Sequence, residues 1–213
     1  MENQLRKYNI TYSEKEKFIL FLPAKTGTVH ASFIFNHFDF TTDILEQHTE
    51  EVYFRYDSVI HHHSMNVPQR YNSYSIICTA RNPYTRLISA YHNSNNNSKT
   101  VGKPFVDFKE YFSKSLNEGN LFFVDNFSFR QKPHYFLRVE RLYHDYIQIP
   151  FIRNSKLNKS GILYELCNKK IHVTRENRKP TWEYYTQDMA DALYSEHKTY
   201  FETVGYDKDS WKQ

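Results

Sequence analysis

The chain has 213 residues, 39% of them hydrophobic and 24% charged, which is enough apolar material for the core of one ordinary globular domain. Aromatic residues make up 17% of it while Gly numbers only 5 and Pro 7, which excludes a low-complexity or collagen-like chain. Its 28 Lys and Arg against 24 Asp and Glu give a formal charge of +4, which suits an anionic small ligand and is too small to indicate nucleic acid by itself.

Cysteine usage and hydropathy bear on the cellular compartment. The two cysteines, Cys78 and Cys167, form no C-x-x-C pair, so the sequence predicts neither a disulfide framework nor a zinc site and is typical of a reducing compartment. The apolar stretch at residues 18–24 is far shorter than the roughly 20 residues of a membrane helix, and residues 1–17 lack the apolar region of a signal peptide. We therefore expect a cytoplasmic protein without a membrane span.

The first predicted strand covers residues 17–22, K-F-I-L-F-L, a continuous apolar run of the kind found in buried parallel strands. Pro23 ends the run, and the short turn A-K-T-G-T follows. Apolar residues recur at Val29, Phe33 and Ile34, so we predict a helix that begins at or near Thr28 with this threonine as its N-cap.

A second strand, turn and helix follow further along the chain. Residues 74–80, Y-S-I-I-C-T-A, predict another buried strand, and Arg81-Asn82-Pro83 predict a polar turn in which Pro83 is the first helical residue. After this helix, the polar run N-S-N-N-N-S at residues 93–98 predicts an exposed loop.

The rest of the chain adds a third strand at residues 135–139 and a final amphipathic helix at residues 186–203. Alternating strands and helices predict a single α/β domain over residues 1–213, with its core at about 17–206 and a mostly parallel sheet. Such sheets bind ligands at the carboxyl ends of their strands, and both polar turns lie at such ends.

The turn P-A-K-T-G-T, residues 23–28, has the composition of an anion site. A strand-to-helix turn directs backbone N–H groups and the positive end of the helix dipole toward a docked anion. Gly27 allows a close approach, Lys25 supplies a positive charge, and Thr26 and Thr28 supply hydroxyls. The pattern differs from the nucleotide-triphosphatase loop G-x-x-x-x-G-K-[ST], because its single glycine follows the lysine. Taken alone, the turn fits a phosphate site and an ordinary capped turn equally well.

Arg81 and Ser89 bring similar chemistry to the second turn. The Arg81 guanidinium suits a bidentate contact to phosphate, and Ser89, inside the following helix, can add a hydroxyl. Arg86 lies three residues before Ser89 on the same helix face, where it can help to bind the phosphate or pair with an acid, and the structural ion pair is the simpler interpretation.

Together the two turns resemble the cofactor motifs of sulfotransferases that use 3′-phosphoadenosine-5′-phosphosulfate (PAPS). The run K-F-I-L-F-L-P-A-K-T-G-T is similar to their 5′-phosphosulfate loop, and I-I-C-T-A-R-N-P-Y-T-R-L-I-S-A-Y to their 3′-phosphate motif. Residues 138–145, R-V-E-R-L-Y-H-D, resemble the family's R-Y-E-x-L-x-x-D segment. Residues 183–206 resemble the closing helix of the carbohydrate branch, which includes the heparan and chondroitin enzymes. The similarity runs in order over nearly the whole chain.

The resemblance implies a P-loop-like, three-layer domain in which helices flank the central, mostly parallel sheet. It assigns Lys25 as a catalytic residue and Arg81 with Ser89 to the 3′-phosphate. It gives the 5′-phosphosulfate to one continuous segment: Ala24, Lys25, Thr26, Gly27, Thr28 and Val29. Where the family most often has Lys directly after Pro, this chain has Ala24, and Lys25 stands one place later but still two before Gly27.

The run His61-His62-His63 lies upstream of Arg81, in a place where glycan sulfotransferases carry a catalytic histidine. Transfer to a hydroxyl needs a base that titrates near neutral pH, and imidazole is the side chain whose unperturbed pKa fits. In an extended segment His61 and His63 face one way and His62 the other. A metal site, which would need further ligands at defined spacing, and a solvated polar loop are the alternative interpretations.

Two further charged segments are candidates for the site. The basic stretch at residues 172–180 contains Arg175, which we expect to close over the cofactor or to meet an anionic acceptor, with a solvated loop as the alternative. Glu140, in the R-V-E segment, either orients the site or pairs with Arg138 or Arg141.

The sequence therefore predicts a PAPS-dependent O-sulfotransferase that sulfates a hydroxyl of a carbohydrate or small alcohol, releases adenosine 3′,5′-bisphosphate and requires no metal. A small-molecule kinase of the P-loop type is the first alternative, which the missing G-K-[ST] ending disfavours. A non-catalytic binder of nucleotides or acidic polysaccharide is the second. We expect a hydroxyl-bearing small molecule or glycan as the acceptor and no nucleic acid as a partner; no pattern indicates the oligomeric state.

Overall fold

The computed structural model describes residues 10–13, 15–23, 25–38, 43–45, 55–56, 59–60, 73–96, 105–117, 132–169 and 179–213. The chain divides into two compact units. The first lies within Met1–Ala80 and Phe127–Val173, and the second within Arg81–Asn126 and Thr174–Gln213. A single domain over residues 1–213 stays a prediction.

The first unit is built on β-strands, which are numbered along the chain: β1 (Ile10–Ser13), β2 (Phe18–Phe21), β3 (Asp43–Leu45), β4 (Arg55–Tyr56), β5 (Val59–Ile60), β6 (Ser75–Ala80) and β7 (Tyr135–Arg138). Five of them form one sheet in the order β3-β1-β2-β6-β7, and β4 and β5 form a separate antiparallel pair. β2, β6 and β7 are parallel, as predicted, whereas β1 pairs antiparallel with β2 and β3. The described sheet is therefore a parallel core with an antiparallel extension at one side.

The described helices are α1 (Thr28–Phe35), α2 (Pro83–Asn96), α3 (Phe108–Asn117), α4 (Leu142–Tyr146), α5 (Pro150–Arg153), α6 (Lys156–Lys159), α7 (Ile162–Asn168) and α8 (Gln187–Val204). α1 and α4 to α7 belong to the first unit, so this unit is an α/β structure with helices packed on a parallel sheet. No helix among the described residues has both the length and the apolar character that crossing a membrane requires.

Aromatic rings pack among the aliphatic side chains in the core of the first unit. Every residue of β2 is buried, which is typical of a strand in a covered parallel sheet. Phe18 stacks on Phe151 with ring centroids 5.1 Å apart, and Phe35 lies 5.6 Å from Tyr146. Aromatic pairs of this kind stabilise a core by about 0.5–1.5 kcal/mol beyond their burial. The first pair links α5 to β2, and Phe35, whose ring lies 5.5 Å from that of Phe18, links α1 and α4 to the same strand.

The second unit is helical and has its own aromatic core. Tyr84 in α2 is fully buried, with its ring 5.1 Å from Tyr185 and 5.3 Å from Phe201 of α8. Its hydroxyl donates a hydrogen bond to the Lys208 carbonyl at 2.6 Å. α8 is kinked at His197 (φ −118°, ψ 23°), so two helical segments make up this element.

The loop predicted at residues 93–98 is partly wrong, because α2 continues to Asn96. Residues 93–96 are helical, and residues 97–98 lie outside the described residues. Asn and Ser disfavour a helix interior by at most about 0.7 kcal/mol each. A helix that has already nucleated at its amino end tolerates this cost.

Candidate functional site

Three parallel strands of the first unit end at one edge of its sheet. β2 and β6 are neighbours with Phe21 opposite Cys78, and β7 lies next to β6 with Arg138 opposite Ala80. Parallel strands share one direction, so the segments that follow β2 and β7 leave the sheet at the same edge. The predicted phosphosulfate loop follows β2 and therefore lies at the edge where α/β proteins bind ligands.

The backbone of this loop is left-handed at two positions. Lys25 has φ 62° and Gly27 has φ 75°, whereas Thr26 between them does not have a positive φ. Such alternation turns successive N–H groups toward one side and forms a concavity that suits an anion. A non-glycine residue in the left-handed region costs about 1–3 kcal/mol, so the surrounding structure must hold Lys25 in this conformation.

Helix α1 begins directly after the loop. Gly27 is its N-cap and Thr28 its first residue, so the prediction of Thr28 as the N-cap is wrong by one position. Glycine adopts the left-handed cap conformation without the steric cost that threonine would incur. No side-chain hydrogen bond caps α1 at Gly27, and the first-turn N–H groups direct the positive end of the helix dipole toward the loop.

Gly27 also lies against the segment that follows β7. A Cβ atom at Gly27 would stand 2.7 Å from Cγ2 of Val139, whereas carbon atoms pack at about 3.5–4.0 Å. Val139 opens the short 3₁₀ helix Val139–Arg141. Glycine is therefore required here for two reasons, the positive φ and the close approach of Val139.

Asp145 fixes the segment that carries Val139. Its carboxylate is 3% exposed and accepts hydrogen bonds from the main-chain N–H (2.8 Å), Nε (2.9 Å) and Nη2 (2.7 Å) of Arg138. Nε of Arg141 lies 3.3 Å from the same carboxylate. Charge-assisted bonds of this kind are among the strongest in proteins. Asp145 thus pairs with both arginines, whereas Glu140 is exposed and its role stays a prediction.

The Thr26 hydroxyl holds the loop onto the sheet. It is 1% exposed and donates a hydrogen bond to the Pro23 carbonyl at 2.6 Å. The Thr79 hydroxyl of β6 lies 2.6 Å away, so it is the donor in the bond between the two threonines. Because its one proton is used inside the loop, Thr26 would donate to a ligand through its main-chain N–H.

The other described residues of the predicted loop differ in exposure. Lys25 and Val29 are half-buried, and Thr28 is 9% exposed. The role of these residues in binding a phosphosulfate stays a prediction.

In the second unit, Asn82 organises the turn Arg81-Asn82-Pro83. Its Oδ1 accepts a hydrogen bond from the Tyr84 N–H at 3.0 Å, which caps α2, and its Nδ2 donates to Oγ of Ser210 at 2.7 Å. Pro83 is the first residue of α2, as predicted. The start of this helix is thus fixed by its own cap and by the end of the chain.

Arg81 is half-buried and makes hydrogen bonds through both its main chain and its side chain. Its Nε donates to Oγ1 of Thr85 at 3.1 Å. Its N–H donates to the Tyr200 hydroxyl at 3.3 Å, and that hydroxyl lies 3.2 Å from the Arg81 carbonyl, to which it donates. Tyr200 belongs to α8 and was not among the predicted site residues.

Ser89 and Arg86 occupy the same helix and differ in burial. Ser89 is half-buried, whereas Arg86 is 3% exposed. The ion pair of Arg86 stays a prediction.

Five predicted site residues lie outside the described residues: Ala24, His61, His62, His63 and Arg175. The nearest described element to the histidine run is β5, which ends at Ile60 and contacts α1 within the first unit.

Comparison of the chain with protein-family models, with curated proteins and with solved structures finds no match. The resemblance to PAPS-dependent sulfotransferases therefore rests on the sequence motifs, and the loop geometry is an independent observation beside them.

Proposed function

We propose that the protein is a PAPS-dependent O-sulfotransferase with a P-loop-like fold, which transfers a sulfuryl group to an acceptor hydroxyl and releases adenosine 3′,5′-bisphosphate. The acceptor is a sugar or small alcohol. The motifs supply the identity of the donor, and the geometry of the loop after β2 supports a negatively charged ligand.

That loop is the observation that carries the proposal. It lies at the carboxyl edge of three parallel strands, and its two left-handed residues are Lys25 and Gly27, the N-cap of α1. Oriented N–H groups and a helix N-terminus favour an oxyanion, and Lys25 adds a full positive charge. These donors suit a phosphosulfate, whereas a neutral ligand would leave the positive charge of the loop unbalanced.

In the proposed reaction PAPS supplies the sulfuryl group, and the acceptor oxygen bonds to sulfur as the bond from sulfur to the bridging phosphate oxygen breaks. A histidine of the run at residues 61–63 accepts the proton of the acceptor hydroxyl. Lys25 and the loop N–H groups stabilise the negative charge that grows on the bridging oxygen. Arg81 and Ser89 bind the 3′-phosphate, and Arg175 contacts the nucleotide or an anionic acceptor.

Calorimetric titration with adenosine 3′,5′-bisphosphate in the presence of EDTA tests the cofactor assignment. ATP and adenosine 5′-monophosphate are the controls. We expect binding that depends on the 3′-phosphate and persists in EDTA. A preference for ATP that requires Mg²⁺ would replace the proposal with a kinase. Tight nucleotide binding without sulfuryl transfer to any hydroxyl acceptor would indicate a binding protein.

The substitution Lys25→Ala tests the catalytic role of the lysine. We expect sulfuryl transfer, measured as release of adenosine 3′,5′-bisphosphate from PAPS with a mixture of sugar and alcohol acceptors, to fall by about 10²–10³-fold. The matched control is Lys17→Ala, because Lys17 (φ 50°) is also a left-handed lysine but precedes β2 at its amino end. Both variants place alanine in the same kind of backbone and remove one positive charge, and Lys17→Ala in addition removes the hydrogen bond from Nζ to the Tyr74 hydroxyl (3.2 Å). Equal activity in the two variants would contradict the role of Lys25.

A further inference from the structure

The contacts of Arg81 fix this residue at three points. The Tyr200 hydroxyl accepts from the Arg81 N–H at 3.3 Å and donates to the Arg81 carbonyl at 3.2 Å. Oγ1 of Thr85 accepts from Nε at 3.1 Å and itself donates to the Asn82 carbonyl at 3.1 Å. One phenol therefore holds both peptide groups of Arg81, and one threonine holds its side chain.

These contacts determine where the guanidinium can point. Its five N–H donors lie in a fixed plane, so a hydrogen bond at Nε sets the orientation of Nη1 and Nη2. Tyr200 is 3% exposed in α8, and its ring lies parallel to that of Tyr206 with centroids 6.3 Å apart, so the phenol that holds the main chain is itself packed. Arginine binds phosphate through a bidentate pair of N–H groups, and such a pair binds more tightly when the side chain is ordered beforehand.

We propose that Tyr200 and Thr85 are positioning residues that order Arg81 for a phosphate group of the ligand. Tyr200 fixes the main chain, and Thr85 fixes the plane of the guanidinium. The inference rests on the proposed function, in which Arg81 binds the 3′-phosphate.

The test is the preference for a 3′-phosphate, taken as the ratio of the dissociation constants of adenosine 5′-monophosphate and adenosine 3′,5′-bisphosphate. Calorimetry measures this ratio for the wild type and for Arg81→Ala, Tyr200→Phe and Thr85→Val. Tyr185→Phe is the matched control, because it also removes a buried phenol that donates to a main-chain carbonyl, that of Tyr84 at 3.0 Å. A purely structural role of Tyr200 would weaken the binding of both nucleotides equally.

We expect Arg81→Ala to lower the ratio by about 10–100-fold, the range for hydrogen bonds to a charged group. Tyr200→Phe and Thr85→Val lower the ratio by about 3–10-fold, which is the range for a neutral hydrogen bond. Both variants leave the binding of adenosine 5′-monophosphate unchanged. The double variant Arg81→Ala with Tyr200→Phe binds adenosine 3′,5′-bisphosphate no more weakly than Arg81→Ala alone, because Tyr200 acts through Arg81.

The outcomes separate the inference from the proposed function. A wild type without any 3′-phosphate preference overturns both. If Arg81→Ala loses the preference for a 3′-phosphate while both Tyr200→Phe and Thr85→Val keep it, the positioning role is wrong. The proposed function then still stands. If Tyr200→Phe does not fold, as seen by circular dichroism, Thr85→Val decides, and an unchanged ratio in that variant overturns the inference.

Discussion

Gly27 and Gly161 hold the same backbone conformation in two different environments. Gly27 (φ 75°) is the N-cap of α1, and Gly161 (φ 80°) is the N-cap of α7. A Cβ at Gly27 would meet Val139 at 2.7 Å, whereas a Cβ at Gly161 would meet nothing within 4 Å. The pair therefore separates the cost of a left-handed backbone from the cost of the contact with Val139.

We expect Gly161→Ala to lower the free energy of unfolding by about 1–2 kcal/mol, the cost of an L-residue in the left-handed region. Gly27→Ala adds the overlap with Val139, for which we expect about 1–3 kcal/mol more. Urea unfolding followed by circular dichroism measures both variants. In a Val139→Ala background, Gly27→Ala should cost only the first part, because the overlap is then absent. Equal losses for the two glycine variants would show that Val139 does not constrain the loop.

At the residue scale, the sequence predicts contacts between residues that are close to each other along the chain. Lys25 and Gly27 lie within one turn, and the structure gives this turn the backbone of an anion site. The partners that hold the two turns are distant in sequence: Thr79 is 53 residues from Thr26, and Tyr200 is 119 residues from Arg81. No local pattern encodes such contacts, because they depend on how strands and helices pack.

At the scale of elements, the start of α2 depends on the Asn82 side chain. Asn82→Ala removes both the cap on Tyr84 and the bond to Ser210, and we expect it to lower the free energy of unfolding by about 2 kcal/mol. Asn82→Asp retains the acceptor for the cap and loses the Nδ2 donor, so we expect a loss of about 1 kcal/mol. Urea unfolding of the two variants measures the difference. Identical losses would mean that the cap contributes nothing to the stability of α2.

The elements that the sequence predicts are those with strong local signals. β2 and β6 are apolar runs buried in a parallel sheet, β7 is a half-buried run beside them, and α2 begins with a cap and Pro83, so the ends of these strands and the start of α2 agree with the prediction within about two residues. β1 and β3 were missed because four and three residues carry too little pattern, and their pairing is set by neighbours far along the chain. The short helices α4 to α7 were missed because packing, rather than propensity, stabilises helices of this length.

At the scale of the whole molecule, tyrosine and cysteine side chains in the core limit the stability of the chain at high pH. In the first unit, burial raises the pKa of Tyr146 well above its ordinary value and raises the pKa of Cys167 to about 12. In the second unit, burial raises the pKa of Tyr185, and burial followed by the nearby carboxylates of Asp209, Asp191 and Asp207 raises that of Tyr84. Each group is neutral when protonated, so the folded chain resists its ionisation.

Above the ordinary pKa values of about 8.5 for cysteine and about 10 for tyrosine, the unfolded chain releases these protons while the folded chain keeps them. The unfolded state then binds fewer protons, so the free energy of unfolding falls as pH rises, by up to about 1.4 kcal/mol per pH unit for each group. We expect these four groups to leave the free energy of unfolding unchanged below about pH 8 and to lower it toward about pH 11. Urea unfolding across this range measures the decline.

Tyr185→Phe identifies the contribution of one of these groups. Phenylalanine has no proton to release. Between about pH 10 and about pH 11 the free energy of unfolding of this variant should therefore fall less steeply, by up to about 1.4 kcal/mol per pH unit, which corresponds to about one proton. Both tryptophans, Trp182 and Trp211, belong to the second unit, so their fluorescence follows the unit that contains Tyr185, while circular dichroism follows the whole chain. An unchanged slope in the fluorescence transition of Tyr185→Phe would show that this phenol ionises equally well in the folded and unfolded chain, against the direction that its burial gives.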